Sequence, residues 1–390
     1  MMFWQQLILS CLILAITWQH CGALQPSIPP VALITGATGR TGQLVSDLLL
    51  EQGFHLRIFC RDEAKARELF EAKNSKYSQQ DGDDGEPCVI EYVLGNLNSM
   101  ADVKAAFQTS PSSPPLTHLV FLAGGEGADY KSVNYYGVES VAKLAIQTPS
   151  IRQIVLVSTA WATRPYSIAS LLFNTLYPET IPMASHYLGE QALRRAVASS
   201  NTNNPSSLGT DSINKINYVI LRAGGLNSDD RWMNKYPEAA AMGLTFSQGD
   251  TFTFAGIAGR PGMCRSQLAK AVLAATTVEG GYTVEVTGSG PTDWKDSSVY
   301  QTTLQPDDEQ LYSKESSSGA LISVAEEEEV FGIHMEAVQQ LKATAIAATA
   351  AGVGFIGTLG FVRGLISLLL LDAIILLLWG KIFATRQVSS

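Results

Sequence analysis

Residues Val31–Val45 read Val-Ala-Leu-Ile-Thr-Gly-Ala-Thr-Gly-Arg-Thr-Gly-Gln-Leu-Val, and they constrain this chain more than any other stretch. A short apolar strand runs into a glycine-rich turn and then into the start of a helix. Gly36, Gly39 and Gly42 have the spacing G-x-x-G-x-x-G. Such a turn reverses tightly, lacks the Cβ atoms that would block an approaching phosphate, and aims backbone N–H groups at an anion favoured by the helix dipole. The last glycine permits close packing of helix on sheet. Gly36, Thr38, Gly39, Arg40, Thr41 and Gly42 are therefore the expected pyrophosphate contacts. An ordinary glycine-rich strand-to-helix turn is the plainer alternative.

A helix over Leu44–Glu51 and a break at Gly53 lead to a second strand, Phe54–Cys60. In NAD sites this strand ends in an acid that bonds the ribose hydroxyls. Here it ends in Arg61-Asp62. A guanidinium suits a 2′-phosphate through charge-assisted hydrogen bonds, and Arg40 is placed to share it. NADP(H) is thus expected over NAD(H). In the alternative, Asp62 makes the NAD contact and Arg61 is a solvated strand end.

The remaining pattern alternates strands and helices. Strands are expected at Val89–Leu94, His118–Leu122, Ile154–Ser158, Tyr218–Arg222 and Tyr282–Thr287, and helices at Ala101–Phe107 and Val133–Gln147, with Glu190–Ser199 continuing a further helix. Residues 201–212 read as polar and disordered. The order implies an α/β fold with a doubly wound parallel sheet. Ligands of such sheets bind at the carboxyl ends of the strands, where Gly36, Arg61, Asn96, Ala123 and Ser158 all fall. The chain has 390 residues and a net charge of −9 without a basic tract, so nucleic acid is not an expected partner. The acidic runs Asp81–Glu86 and Glu326–Glu329 read as solvated loops rather than metal sites. Cys60, Cys88 and Cys264 form neither a disulfide framework nor a zinc site.

Both ends are apolar. Leu7–Trp18 followed by Cys21-Gly-Ala23 reads as a signal peptide over 1–23, with an uncleaved anchor as the alternative. The stretch at that cut resembles the bipartite plastid presequences of algae with secondary plastids, which implies a plastid membrane; the endoplasmic reticulum is the alternative. After an acidic flexible linker over 293–342, residues 343–384 read as membrane-associated, with a transmembrane helix at about 364–383. Asp372 within it is costly in lipid unless paired, which points to a membrane-protein partner.

Thr35–Gly42, Phe59–Asp62, Gly95-Asn-Leu97, Val133-Asn-Tyr-Tyr-Gly-Val138, Val155–Ser158, Glu190–Arg194 and Tyr218–Leu226 together resemble the atypical short-chain dehydrogenase/reductases. These are NAD(P)-binding proteins of the NmrA-like and biliverdin-reductase-B-like kind, and the resemblance spans about Val31 to Gly290. It implies a Rossmann-type domain over 30–292 that binds a nicotinamide cofactor. Asn96 and Leu97 would flank the adenine, Ala123 and Gly124 would line the cofactor, and Ala223 and Gly224 would lie near the nicotinamide.

The chain departs from the superfamily's Tyr-x-x-x-Lys pair. Tyr187 is followed four residues later by Gln191; laid on the Glu190–Arg194 anchor instead, Pro182 takes the tyrosine's place and His186 the lysine's. Ser158 matches the family serine. Ser158, Tyr187 and His186 are the candidate catalytic residues. Three readings stay open: hydride transfer to a small molecule with little acid–base help, proton donation by Tyr187 or His186, and a noncatalytic assembly or scaffold factor that binds NADP(H).

Overall fold

The computed structural model describes residues 29–78, 88–108, 113–125, 129–163, 168–176, 181–202, 216–227, 243–248, 263–290, 304–307 and 324–359. Strand β1 (Val31–Thr35) leads through the glycine turn into α1 (Arg40–Glu51), then β2 (His55–Cys60), α2 (Glu63–Ser78), β3 (Ile90–Leu94), α3 (Met100–Phe107) and β4 (His118–Phe121). One π-helical stretch, Ser132–Gly137, opens α4 (Val138–Ile146). The chain continues through β5 (Gln153–Thr159), α5 (Ile168–Leu176), α6 (Pro182–Thr202), β6 (Asn217–Ala223), β7 (Leu226–Asn227), β8 (Gly243–Ser247), β9 (Met263–Cys264), α7 (Arg265–Ala275), β10 (Gly281–Gly290) and α8 (Val324–Leu359).

Eight strands form one sheet in the order β3-β2-β1-β4-β5-β6-β10-β8, and β7 pairs with β9 separately. The pairings from β3 to β10 are parallel, whereas β8 runs antiparallel to β10. The expected all-parallel sheet is therefore corrected to a mixed one. The sheet is covered on both faces, as parallel strands require. The two-residue period of β1 shows how: Ala32 and Ile34 pack into the core with α1 and α7, while Val31 and Leu33 pack into the core with α3, α4 and α6. The strand order reverses around β1, which has β2 on one side and β4 on the other. That is where an open α/β sheet leaves a crevice for ligand.

The expected strands are present, with ends shifted by one to a few residues. α2 was not expected: its sequence is mostly polar, but Ala66 and Phe70 are fully buried against the core. α6 contains the expected Glu190–Ser199 helix and begins at Pro182, proline being favoured in a first helical turn.

The largest correction concerns the expected flexible linker. Residues 324–342 belong to α8, and part of that helix is docked on the domain. His334, Ala337 and Val338 are buried, and Val330 and Phe331 pack against Tyr135, Leu188 and Ala192. The apolar positions recur at helical spacing, and Glu326–Glu329 lies in the first two turns, where the helix dipole favours negative charge. Those glutamates are helical, not a loop. The apolar stretch expected from Ala343 continues α8 as far as Leu359. Among the described residues no helix is long and apolar enough to cross a membrane. The expected span at 364–383 with Asp372, the signal segment 1–23, the Asp81–Glu86 run and residues 203–212 lie outside the described residues.

Candidate functional site

The glycine turn is built by backbone proximity. Gly36 has φ +75°, and a Cβ there would lie 2.6 Å from the backbone nitrogen of Ala123, at the end of β4. A Cβ on Gly42 would lie 2.2 Å from the carbonyl oxygen of Gly36. Neither neighbour can yield, so both positions demand glycine. Gly39 N–H donates to the Gly36 carbonyl at 3.0 Å, which closes the turn. Gly39 is also the residue before α1, in extended conformation; no side chain caps the helix and its first turn carries no acid. Its leading N–H groups are thus left to face an anion. Gly39 and Arg40 are exposed, and Thr38 and Thr41 are half-buried.

At the end of β2, Arg61 is 76% exposed and lies 3.8 Å from Asp129, itself 48% exposed. Such a pair is worth at most about 1 kcal/mol and does not hold the guanidinium in place. Asp62 is engaged differently, because its carboxylate accepts from the Lys65 N–H at 3.0 Å and caps α2. After β3, Asn96 is exposed, and its side-chain oxygen accepts from Asn98 N–H at 3.0 Å. Asp102 fixes that turn by accepting from Asn96 N–H at 2.9 Å. Leu97 is half-buried beside Gly137. Ala123 is half-buried and Gly124 exposed at the end of β4, and Ala223 is buried and Gly224 half-buried at the end of β6.

The three catalytic candidates are arranged around Glu190, which Ser158 bonds directly and whose charge reaches His186 and Tyr187. Ser158 is 5% exposed and donates to Glu190 Oε1 at 2.6 Å. Glu190 also accepts from Arg222 Nη2 at 2.6 Å and from Arg194 Nη2 at 3.4 Å, with all of these side chains 0–1% exposed. The cluster runs on through Arg194 to Thr283 at 2.6 Å, and Thr283 donates to Asp307 at 2.6 Å. Burial resists ionisation of Glu190. The charges of Arg222 and Arg194 and the hydrogen bonds from Arg222 and Ser158 outweigh it, and the carboxyl stays below its ordinary pKa. The Ser158 hydroxyl is thus committed to a buried ion cluster that fastens α6 to β5, β6 and β10.

His186 is half-buried on α6, and its Nε2 lies 3.2 Å from Asn134 Nδ2. Burial pushes its pKa down to about 4, against the pull of Glu190. Tyr187 is half-buried, and burial raises its phenol above the ordinary value against the opposing charge of Arg194. Pro182 offers no proton. Three residues with structural weight at this edge were missed as site candidates: Asn134, Glu190 and Arg222. All lie in stretches that carry the family resemblance, but their roles follow from distances that a sequence does not contain. Trp161, just after β5, is buried at φ +66°, a strained backbone of the kind that gathers at functional sites.

A mixed Rossmann-type sheet with a glycine cradle at its switch point defines a dinucleotide-binding protein. A family model for NAD(P)H-binding proteins matches residues 36–251, and the chain belongs to that family. Among solved structures, a candidate NAD-dependent epimerase/dehydratase from Bacillus halodurans is 18% identical, covers 70% of this chain and 99% of its own, and has a TM-score of 0.47. An oxidoreductase from Lactococcus lactis is 12% identical over 68% of this chain and 94% of its own, with a TM-score of 0.44. An anaerobillin reductase from Escherichia coli is 14% identical over 66% and 97%, with a TM-score of 0.40. No curated protein matches the chain.

Proposed function

We propose that this protein is an NADP(H)-binding oxidoreductase of the atypical reductase kind, held at a membrane by residues 364–383. The observation that carries the reading is the backbone-lined cradle at Gly36–Gly42, with its uncapped helix start and the exposed Arg61 one strand away. Backbone N–H groups of Thr38–Thr41 would hold the pyrophosphate. Asn96 and Leu97 would flank the adenine, and Ala123, Gly124, Ala223 and Gly224 would line the path to the nicotinamide. Arg61, with Arg40, would take the 2′-phosphate, a choice supported by the use of Asp62 as a helix cap. The bound nicotinamide supplies or accepts a hydride. The chain's own part would be to orient the acceptor, with Tyr187 and His186 on α6 as the candidate side chains for that task.

The test is titration of the full-length protein with NADPH and NADH, followed by NADPH oxidation with a panel of quinones, flavins and carbonyls. Preference for NADPH with turnover is the expected result. Equal binding of NADH would remove the Arg61 assignment, and no binding would remove the reading. One observation favours a second reading, a noncatalytic NADP(H)-binding assembly or scaffold factor: the Ser158 hydroxyl is locked by Glu190. Tight NADPH binding without turnover would select it.

A further inference from the structure

Lys131 stands immediately before the π-helical stretch Ser132–Gly137, which follows the carboxyl end of β4. It is half-buried, and its ammonium lies 4.3 Å from the ring centre of Phe331 on α8 and 5.6 Å from that of Tyr136. Among the described residues no carboxylate lies within ion-pair distance of it. Asp129, two residues earlier, faces Arg61 at 3.8 Å, and Glu329, two residues before Phe331, is exposed. Aromatic rings hold an ammonium through their quadrupoles but bring no net charge to offset it. They also order a long stem before any ligand arrives, so an anion that binds there loses less entropy in fixing it.

The place of Lys131 in the fold sets it at the acceptor end of the site. Tyr135, one turn beyond it, packs on Leu188 and Ala192 of α6, the helix that also carries His186 and Tyr187. Arg61 lies on the other flank, beyond Asp129, at the end of β2. The cradle's backbone donors are assigned to the pyrophosphate and Arg61 to the 2′-phosphate, so the anion left for Lys131 is not the nucleotide's. Tyr136 is 47% exposed and stacks on Tyr135 with ring centres 4.6 Å apart and planes 30° apart, which leaves aromatic surface open to a planar ring. Phe331 closes the arrangement from a helix that lies beyond residues 36–251, the part matched by the family model.

We infer that Lys131, Tyr136 and Phe331 form an anion-binding wall of the acceptor site, completed by the C-terminal helix, and that the acceptor is a planar aromatic carbonyl compound or quinone bearing an anionic group. The acceptor gains the hydride and one solvent proton, becoming an alcohol or a hydroquinone, as NADPH is oxidised to NADP⁺. That the ligand is an acceptor rests on the oxidoreductase reading; the anion site does not.

The test is calorimetric titration of the full-length protein, with and without NADP⁺, using two inert probes, naphthalene sulfonate and the neutral naphthalene methanol. NADPH oxidation with naphthoquinone sulfonate and with neutral naphthoquinone follows. Wild type should bind the sulfonate about tenfold tighter than the neutral probe, the worth of one charge-assisted contact. K131M keeps a stem against the rings and removes the charge, so the preference should vanish while the melting temperature and NADPH affinity stay unchanged. K131Q should behave alike and serves if K131M fails to fold, whereas K131R should keep the preference. F331L should weaken the sulfonate, because the ammonium loses one of the rings that hold it. In turnover, the anionic quinone should show the lower KM in wild type and lose that advantage in K131M. An undiminished preference in K131M would overturn the role of Lys131, and equal affinity of wild type for both probes would overturn the anion site. A fall in NADPH affinity in K131M would give Lys131 to the nucleotide and overturn the acceptor assignment. Lysine-dependent sulfonate binding with no turnover of either quinone would uphold the anion site and overturn the oxidoreductase reading.

Discussion

The glycine turn after β1 and the Ser158 cluster at the end of β5 lie at the same edge of one sheet and are built in opposite ways. The turn is backbone: glycines pressed together, a helix start with no side-chain cap, and an arginine 76% exposed nearby. The cluster is side chains: a hydroxyl, a carboxylate and two guanidinium groups, none more than 5% exposed, joined by hydrogen bonds of 2.6 to 3.4 Å. The turn offers backbone donors that no side chain caps, while in the cluster the Ser158 hydroxyl and the Glu190 carboxylate are engaged with one another and with the guanidinium groups. Polarity at a strand's carboxyl end is therefore a poor guide to chemistry, and what separates ligand site from scaffold is which polar groups are already spent.

The contrast breaks most readily at Glu190. Its removal in E190A leaves Arg222 and Arg194 buried without their shared carboxylate, and the expected loss is about 3–5 kcal/mol of stability. Thermal unfolding of the full-length protein reads this directly, and a near-wild-type melting temperature would show that the cluster is not scaffold. His334, locked by Asn174 and 2% exposed, gives the next largest effect. Burial lowers its pKa to about 4 from an ordinary 6.5. The unfolded chain therefore binds the proton first as pH falls, and stability decreases from about pH 6.5 downward. Between pH 6.5 and 5 this group should cost on the order of 2 kcal/mol. H334Q keeps an acceptor for Asn174 but cannot titrate, so denaturant curves of the two proteins should converge on acidification. Parallel curves would show that the helix α8 is not docked through this ring.

Substitutions in the turn act on binding instead. G36A forces a Cβ onto the β4 backbone and a side-chain residue into the left-handed region, a strain of about 1–3 kcal/mol. NADPH affinity should fall at least tenfold. R61A should weaken NADPH about tenfold through loss of a charge-assisted contact and leave NADH nearly unchanged. Equal losses for both nucleotides would move the 2′-phosphate contact away from β2.

The turn was legible in the sequence because it is local. Its glycines, the strand before them and the helix after them sit within fifteen residues, and each position states its own requirement. The doubly wound α/β class followed from the alternation of short apolar runs with helices. The edge strand β8 did not, since Gly-Leu-Thr-Phe-Ser carries too weak a pattern to announce an antiparallel partner. α8 was hidden by its charge: Glu326–Glu329 reads as tether in composition, while the stripe Val330, Phe331, His334, Ala337, Val338 that docks it is thin. Ser158 is the sharpest case. Its position in the resemblance marks a catalytic serine, and only the 2.6 Å contact to Glu190, thirty-two residues on, shows where its hydroxyl is spent.

The smallest expected effect bears most directly on that point. S158A removes one of several hydrogen bonds to Glu190 and leaves the Arg222 and Arg194 contacts in place. The cost in stability should be about 1 kcal/mol, the net worth of one buried hydrogen bond. NADPH affinity should not change, because nothing of the cradle is touched. If the variant also keeps wild-type turnover with whichever acceptor the panel yields, the hydroxyl has no part in the chemistry and the contrast between spent and unspent groups stands. A large fall in kcat with an unchanged melting temperature would instead mean that Ser158 releases Glu190 when substrate arrives. The cluster would then be a site held closed rather than a scaffold.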